Sequence, residues 1–394
     1  MGIGNSERLL KNHIPSLLSL WRGGGGNGPM TKGELERASN SLINLQRGLT
    51  GSRKLAGAGY MQDSVMLGAY LMYYWPVSYL QVSLALSSRM DVISSLGSED
   101  GVRILDVGSG PGGASCALCD LLPHRKKEIV LVDASGKALK QAVSLLSGPD
   151  TVVTTHLCDI EKEPFPAAEK PYDCILLSHT LNELWTGQKD AVEKRVRFLK
   201  DISASSLSPQ GMLFLAEPAL LGTSRELLSV RDGLVKEGFT ILSPCIGDCP
   251  CGALAAGEGH TCHAEIGWKP IEPMASLADK ANLDRQSVKM TFFLLKKGMG
   301  SKNEQPKGTI LARVVSDAML NKGGRVRYLL CDGKNRFAFS AKSGDSVANA
   351  QGFFKLRRYD LIQVTHAESR GDGSELSYGF GEGTRITVLS RIAQ

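Results

Sequence analysis

No stretch of this 394-residue chain approaches the eighteen or so apolar residues that a membrane-spanning helix requires. The segment from Met1 to Pro29 lacks the apolar core of a secretory signal and the Arg-rich amphipathic character of an organellar leader. Its Gly23–Gly26 run is a flexible break, and no internal repeat or other low-complexity tract follows. A disulfide framework is missing too. The nine cysteines are odd in number and scattered, which points to a reducing compartment. Between bacterial cytoplasm and the mitochondrial matrix as the alternative, the missing Arg-rich leader favours the former. Net charge is only +6 and is unevenly placed, since residues 301–394 hold 15 Lys and Arg against 9 Asp and Glu while the rest of the chain balances. That excess suits either a polyanion-binding face or a solvated basic surface. The length allows two or three domains with ordinary cores.

What the chain has is a glycine-rich turn in a telling context, Val102-Arg-Ile-Leu-Asp-Val-Gly-Ser-Gly-Pro-Gly-Gly113. Apolar residues lead into Asp106, and small residues with an apolar helical pattern follow from Ala114 to Leu122. This reads as a buried strand, a tight loop and a helix. Glu128-Ile-Val-Leu-Val-Asp133 gives a second strand ending in an acid, at the spacing of a nucleoside site on a parallel sheet. Gly108, Gly110 and Gly113 formally satisfy a dinucleotide fingerprint. Against that, Asp106 stands where a pyrophosphate would be repelled and an ammonium attracted, and the loop follows a long helical region. Leu105-Asp-Val-Gly-Ser-Gly-Pro-Gly112 resembles the first motif of class I S-adenosylmethionine methyltransferases. On that resemblance Asp106 anchors the ammonium side, the amides of Gly108, Gly110 and Gly112 face the methionyl carboxylate, Asp133 accepts the ribose hydroxyls, and Asp159 accepts from the adenine amino group.

The rest of the chain is consistent with this class. Residues 1–95 read as a helical region, with Thr31 as an N-cap and Pro76 starting a helix in an aromatic-rich stretch that packs rather than stacks on RNA. Strands at Ile104–Val107, Ile129–Asp133, Thr151–Leu157, Cys174–Ser178 and Met212–Ala216 alternate with helices, notably Gly136–Leu146 and Ala191–Ser205. This is the pattern of a doubly wound α/β sheet over residues 96–300. Strands at Phe239–Ser243, after a helix Arg225–Glu237, and at Val288–Leu295 complete it. They stand far apart where a hairpin is usual, so something is inserted between them. A polar linker, Ser301–Gly308, leads into residues 301–394. There the short runs Ile310–Val315, Val326–Leu330, Phe337–Ser340, Leu361–Thr365 and Arg385–Leu389 predict a small β-barrel like an OB-fold.

After the fourth strand the chain reads Ser178-His-Thr-Leu-Asn-Glu-Leu184. It lacks the Asn/Asp-Pro-Pro-aromatic motif of exocyclic-amine methylation, and no Pro-Cys pair sits where a cytosine nucleophile would. His179, Asn182 and Glu183 lie at the right edge, as catalytic candidates or as cap and helix-start residues. No catalytic residue is assigned. Cys116, Cys119, Cys158 and Cys174 fall in sheet or helix patterns and read as core.

The insert, residues 244–268, carries Cys245, Cys249, Cys251 and Cys262 with His260 and His263 among glycines and prolines. It has too little apolar surface to hold itself, and a metal would cross-link it. Zinc suits mixed Cys and His donors; an iron–sulfur cluster wants four thiolates. Cys245 and Cys251 followed by Thr261-Cys-His263 resemble the cysteine insert of the methyltransferase-like assembly factors of the mitochondrial ribosomal small subunit and their bacterial relatives. The stretch Tyr74–Leu86, the Asp106 loop and Leu330-Cys-Asp-Gly333 are similar to that family as well. The departures are Cys249 in place of a glycine, Ile246 and Gly247 in place of a Pro-His pair, and a longer spacing from Cys251 to Cys262. The resemblance implies a [4Fe–4S] cluster on Cys245, Cys251, Cys262 and Cys331, S-adenosylmethionine as cofactor, and action as a monomer on the small ribosomal subunit and its rRNA. It leaves open whether methyl transfer occurs.

Overall fold

The computed structural model describes residues 2–51, 58–283, 285–298, 308–370 and 376–392. Helices α1 (Ile3–Trp21) and α2 (Lys32–Gln46) open the chain. Thr31 caps α2 as its sequence position requires: the Glu34 N–H donates to Thr31 Oγ1 and the Thr31 N–H donates to Glu34 at 2.7 Å. Helix α3 (Ser64–Ala69) runs through a π-helical turn, Tyr70–Tyr74, into α4 (Trp75–Ser87), with Pro76 in its first turn where the missing N–H costs nothing. Helix α4 is buried almost all round, as a helix apolar on every face must be. A short α5 (Met90–Ser94) follows.

The chain then alternates: β1 (Val102–Val107), α6 (Gly113–Leu121), β2 (Lys127–Asp133), α7 (Gly136–Leu146), β3 (Thr151–Leu157), β4 (Tyr172–Ser178), α8 (Ala191–Ser206), β5 (Leu207–Pro218), α9 (Leu221–Lys236) and β6 (Phe239–Ser243). After α10 (Gly252–Ala255), β7 (Ala264–Gly267) and α11 (Met274–Lys280) comes β8 (Ser287–Lys297). The strand order is β3-β2-β1-β4-β5-β8-β6, with β8 antiparallel to its neighbours and β7 pairing its far end. Two details differ from expectation. Helix α9 starts at Leu221, four residues before Arg225, and the end of the cysteine-rich insert is the strand β7, too short to show a period.

Successive strand residues point to opposite faces. Ile104, Ile129, Leu131, Leu176, Phe214 and Phe292 enter one core beneath α4 and α6, while Leu105, Val130, Val132, Ile175, Leu213 and Phe293 enter another beneath α8 and α9. Asp106 shares the face of Ile104. It is thereby buried under the helical region.

A second sheet follows, comprising β9 (Thr309–Val314), β10 (Met319–Leu320), β11 (Arg325–Cys331), β12 (Arg336–Lys342), then α12 (Ser346–Ala350), β13 (Leu361–Thr365), β14 (Glu368–Ser369), β15 (Ser377–Gly379) and β16 (Arg385–Ser390). Its order is β14-β15-β12-β11-β9-β13-β16, with β10 pairing β11. Among the described residues β14 and β16 do not pair, so this is an eight-stranded sheet whose closure into an OB-like barrel is not seen. The expected linker lies, save for Gly308, outside the described residues. Among the described residues no helix is long and apolar enough to cross a membrane.

The helical region grips the glycine loop through Trp75. Its ring is fully buried, stacks on Tyr79 at 5.5 Å, and donates Nε1–H to the Pro111 carbonyl at 3.0 Å. His13 wedges against both rings and bonds Asp120 at 2.7 Å. Trp75→Phe removes the donor and leaves a void. It should lower stability by about 1–3 kcal/mol, read as a lower urea midpoint at unchanged slope. An unmoved midpoint would mean that the helices do not brace the loop.

Candidate functional site

A cavity of about 640 Å³ opens at the carboxyl ends of β1, β2 and β4. Gly108, Ser109 and Gly110 form its floor, Tyr60, Met61, Tyr70 and Tyr74 cover it, and Ser178, His179, Thr180, Asn182 and Glu183 line its far wall. Gly108, Gly110 and Gly112 all hold positive φ, at 67°, 50° and 77°. At Gly108 the reason is also steric, because an added Cβ would fall 2.3 Å from Thr180.

Asp106 is 1% exposed. Ser115 donates its hydroxyl to Oδ2 at 2.6 Å, while Oδ1 is buried with no partner. Burial raises its pKa to about 7 against the pull of Ser115. An orphaned carboxylate oxygen at a cavity wall calls for a donor from the ligand. Asp133 lies beside it with its pKa also raised by burial. Gly110 N–H donates to one of its oxygens at 2.8 Å and Ser135 N–H to the other at 2.7 Å. Each oxygen retains a second lone pair for a hydroxyl.

The loop amides correct one expectation. Gly108 and Ser109 donate to the Val132 carbonyl, Gly110 to Asp133 and Gly112 to the Ser109 carbonyl. The turn uses these N–H groups to hold its own left-handed geometry. Gly113 and Ala114, the first turn of α6, line the cavity as well. Asp159 also lines the cavity, but its oxygens take the Glu161 N–H at 3.1 Å and the Lys162 ammonium at 2.7 Å.

Gln81 on the far wall and Glu217 behind Asn182, which carry no sequence signal, organise the candidates. Gln81 donates Nε2–H to the Lys289 carbonyl at 2.7 Å, which leaves its Oε1 to accept from His179 Nε2 at 2.7 Å. That assignment makes Nδ1 the bare nitrogen, and it is buried without a partner. Burial lowers the His179 pKa to about 4, so the ring is neutral. Asn182 donates its side-chain amide to buried Glu217 at 2.5 Å and to the His179 carbonyl at 3.1 Å. Burial raises the Glu217 pKa to about 8.

The cysteines of the insert lie near one from the second sheet. Cys245, Cys251 and Cys262 come from the insert and Cys331 from the end of β11. All are free thiols. Their charges act on one another: Cys262, Cys331 and Cys251 on Cys245, Cys251 on Cys262, and Cys262 with Cys251 on Cys331. Burial raises the thiol of Cys245 to about 12 and that of Cys331 to about 11. Arginines surround the group. Arg231 donates to the Gly247 and Cys249 carbonyls, Arg313 to the Pro244 carbonyl, and Arg336 and Arg358 act electrostatically on Cys262. Arg231 Nε, Arg336 Nε and Nη1, and Arg358 Nε are buried without partners. Among the described residues no set of three or more His, Cys, Asp or Glu side chains is spaced to hold a metal ion. Of the remaining cysteines, Cys116, Cys158 and Cys174 are buried as read, and Cys119 is half-buried.

Six strands running one way, an antiparallel strand slotted before the last of them, and a glycine loop between two strand-end acids define a class I methyltransferase-like fold. The model of the family described as mitochondrial small ribosomal subunit Rsm22 matches residues 64–351, well over half of the chain, and the chain belongs to that family. Among solved structures, the plantazolicin methyltransferase BpumL in complex with SAH is 14% identical over 68% of this chain and 98% of that chain, with a TM-score of 0.35. A SAM-dependent methyltransferase from Leishmania major is 14% identical over 71% and 91%, with a TM-score of 0.34. No curated protein sequence matches.

Asp106 binds its proton more tightly in the folded chain than in the unfolded one, where a carboxyl titrates near ~4. The stability this contributes is complete below that range and is lost as pH rises through about 7. Asp106→Asn should therefore flatten the decline of unfolding free energy across this window, followed by urea titration at stepped pH. A decline as steep as in the parent chain would contradict the buried, proton-hungry carboxyl.

Proposed function

We propose that this protein binds S-adenosylmethionine in the cavity and acts on the small ribosomal subunit as a methyltransferase-like factor carrying a [4Fe–4S] cluster. The observation that carries the cofactor assignment is the unpartnered Oδ1 of Asp106 at the cavity wall. An α-ammonium supplies the missing donor and the counter-charge together. Asp133 beside it suits the ribose hydroxyls, and the first turn of α6 suits the methionyl carboxylate. Asp159, already paired with Lys162, is the weakest member of the proposed set. The family's description supports the ribosomal partner, and supports the mitochondrial matrix over the bacterial cytoplasm. The basic excess of residues 301–394 supports contact with rRNA through phosphates.

The cluster is supported by the chemistry of the donors. Four half-buried cysteines that influence one another electrostatically, with guanidinium nitrogens lacking partners around them, fit a group that is anionic once its thiolates bind. Zinc on mixed Cys and His donors is the alternative. Bound there, a cluster would cross-link the insert to β11. Arg231 and Arg313 hold the insert's backbone in place for it.

A non-catalytic platform is the second reading, and the far wall favours it. The His179 ring is spent on Gln81 with its bare nitrogen sealed off, and Asn182 is spent on Glu217. Labelled-methyl transfer to isolated small subunits separates the two readings, and a small-molecule acceptor would appear as transfer without subunits.

Two outcomes test the sites. Asp106→Ala should abolish S-adenosylmethionine binding in calorimetric titration, and the parent chain's affinity should fall as pH drops through about 7, where the carboxyl takes up its proton. Unchanged affinity in the variant would remove the cavity assignment. For the cluster, anaerobically purified Cys331→Ser should lose iron and brown colour while Cys249→Ser keeps both. The reverse pattern would detach Cys331 from the site, and stoichiometric zinc in colourless parent protein would replace the cluster altogether.

A further inference from the structure

Tyr359 is in an improbable place for a tyrosine. It precedes β13, holds a left-handed backbone at φ 68°, and is 2% exposed. A left-handed conformation is unfavourable for a bulky residue unless its surroundings impose it. Here they do. Tyr359 N–H donates to the Val314 carbonyl at 2.7 Å, and Arg313 Nη1 donates to the Tyr359 carbonyl at 2.9 Å. The same Arg313 donates Nε–H to the Pro244 carbonyl, next to Cys245. The ring stands edge-on to Phe292 of β8, with centroids 6.2 Å apart. The strained backbone thus carries the phenol out of the second sheet and into the cysteine site of the first. There its oxygen lies 3.2 Å from Cys262 Sγ.

We propose that Tyr359 Oη–H donates a hydrogen bond to the Cys262 thiolate and thereby tunes the reduction potential of the group those cysteines hold. This rests on the cluster reading given above. Tyr359 is a positioning and tuning residue, not a ligand. A hydrogen bond to a ligating sulfur withdraws electron density from it. It therefore stabilises the more negative, reduced state and raises the potential. The basic side chains of Arg336 and Arg358, which also act on Cys262, pull in the same direction. Cys262 is thus the sulfur at which the second sheet reaches across to influence the insert by a side chain rather than by ligation.

Tyr359→Phe deletes one oxygen and keeps the ring against Phe292. In anaerobically purified full-length protein, its iron and sulfide content should equal that of the parent, while its midpoint potential, measured by redox titration followed by electron paramagnetic resonance, should be lower. Equal potentials in two equally loaded proteins would overturn the inference and leave the cluster reading standing. Should the variant fail to load, the parent protein still decides. Its iron–thiolate stretching bands in resonance Raman spectra should shift between H2O and D2O, and bands insensitive to exchange would overturn the hydrogen bond. Parent protein without iron and acid-labile sulfide overturns the cluster reading and this inference with it.

Discussion

A strand cannot choose which of two adjacent side chains it buries on a given face, and this constraint decides both sites. In β1, Leu105 and Val107 must enter the core beneath α8 and α9, because that core has nothing else to fill it there. Asp106, between them, is driven to the opposite face under the helical region, where water cannot solvate it. In β11 the same rule acts with the opposite outcome for sulfur. Tyr328 and Leu330 fill the core of the second sheet, and Leu329 and Cys331 pack instead against the core of the first. A one-residue slip in either strand would exchange the whole set. The carboxyl that awaits a cation and the thiol that reaches the insert are consequences of apolar neighbours.

The insert has almost no core of its own, and its backbone is held by polar groups. Buried Arg231 of α9 takes the Gly247 and Cys249 carbonyls, and Asp232 accepts the Cys251 N–H at 3.0 Å. Arg313 of β9 takes the Pro244 carbonyl at 2.9 Å from the other sheet. Guanidinium groups suit this task because their fixed fork satisfies two carbonyls at once. An added Cβ at Gly333 would fall 3.1 Å from the Gly247 nitrogen, so glycine is what lets the turn after Cys331 lie against the insert. Each contact is local, yet together they bring cysteines from residues 245 and 331 to one place.

The parts of this architecture that a reader of the sequence can see are those with a period or a punctuation mark. β1, the glycine turn and β2 announce themselves because apolar runs, glycines and strand-end acids coincide within a few tens of residues. The Thr31 capping box is equally plain. β7 is invisible, since four residues are too few for an alternation to stand out. The start of α9 is hard to place because Gly222 and Thr223 have low helix propensity, although the helix begins at Leu221. The orientation of the loop amides is a matter of backbone geometry that residue types do not encode. Gln81 and Tyr359 are hidden for a different reason. Each acts on a partner about a hundred residues away, His179 and Cys262, and only the packed sheets bring the pairs together.

Strand β8 is where these separate facts meet. It is the antiparallel strand inserted between β5 and β6, so its residues run back along the cavity side of the sheet before passing the insert. Ser287 and Lys289 line the cavity, and the Lys289 carbonyl fixes Gln81, which fixes the tautomer of His179. Two residues on, Thr291 donates its hydroxyl to the Cys262 carbonyl at 3.1 Å, and its neighbour Phe292 supports the ring of Tyr359. Within six residues of one strand, Ser287 and Lys289 therefore line the cavity, Thr291 holds the backbone of Cys262, and Phe292 meets Tyr359. Because a strand paired on both sides resists local distortion, neither site can shift along β8 without breaking ladder bonds to β5, β6 or β7.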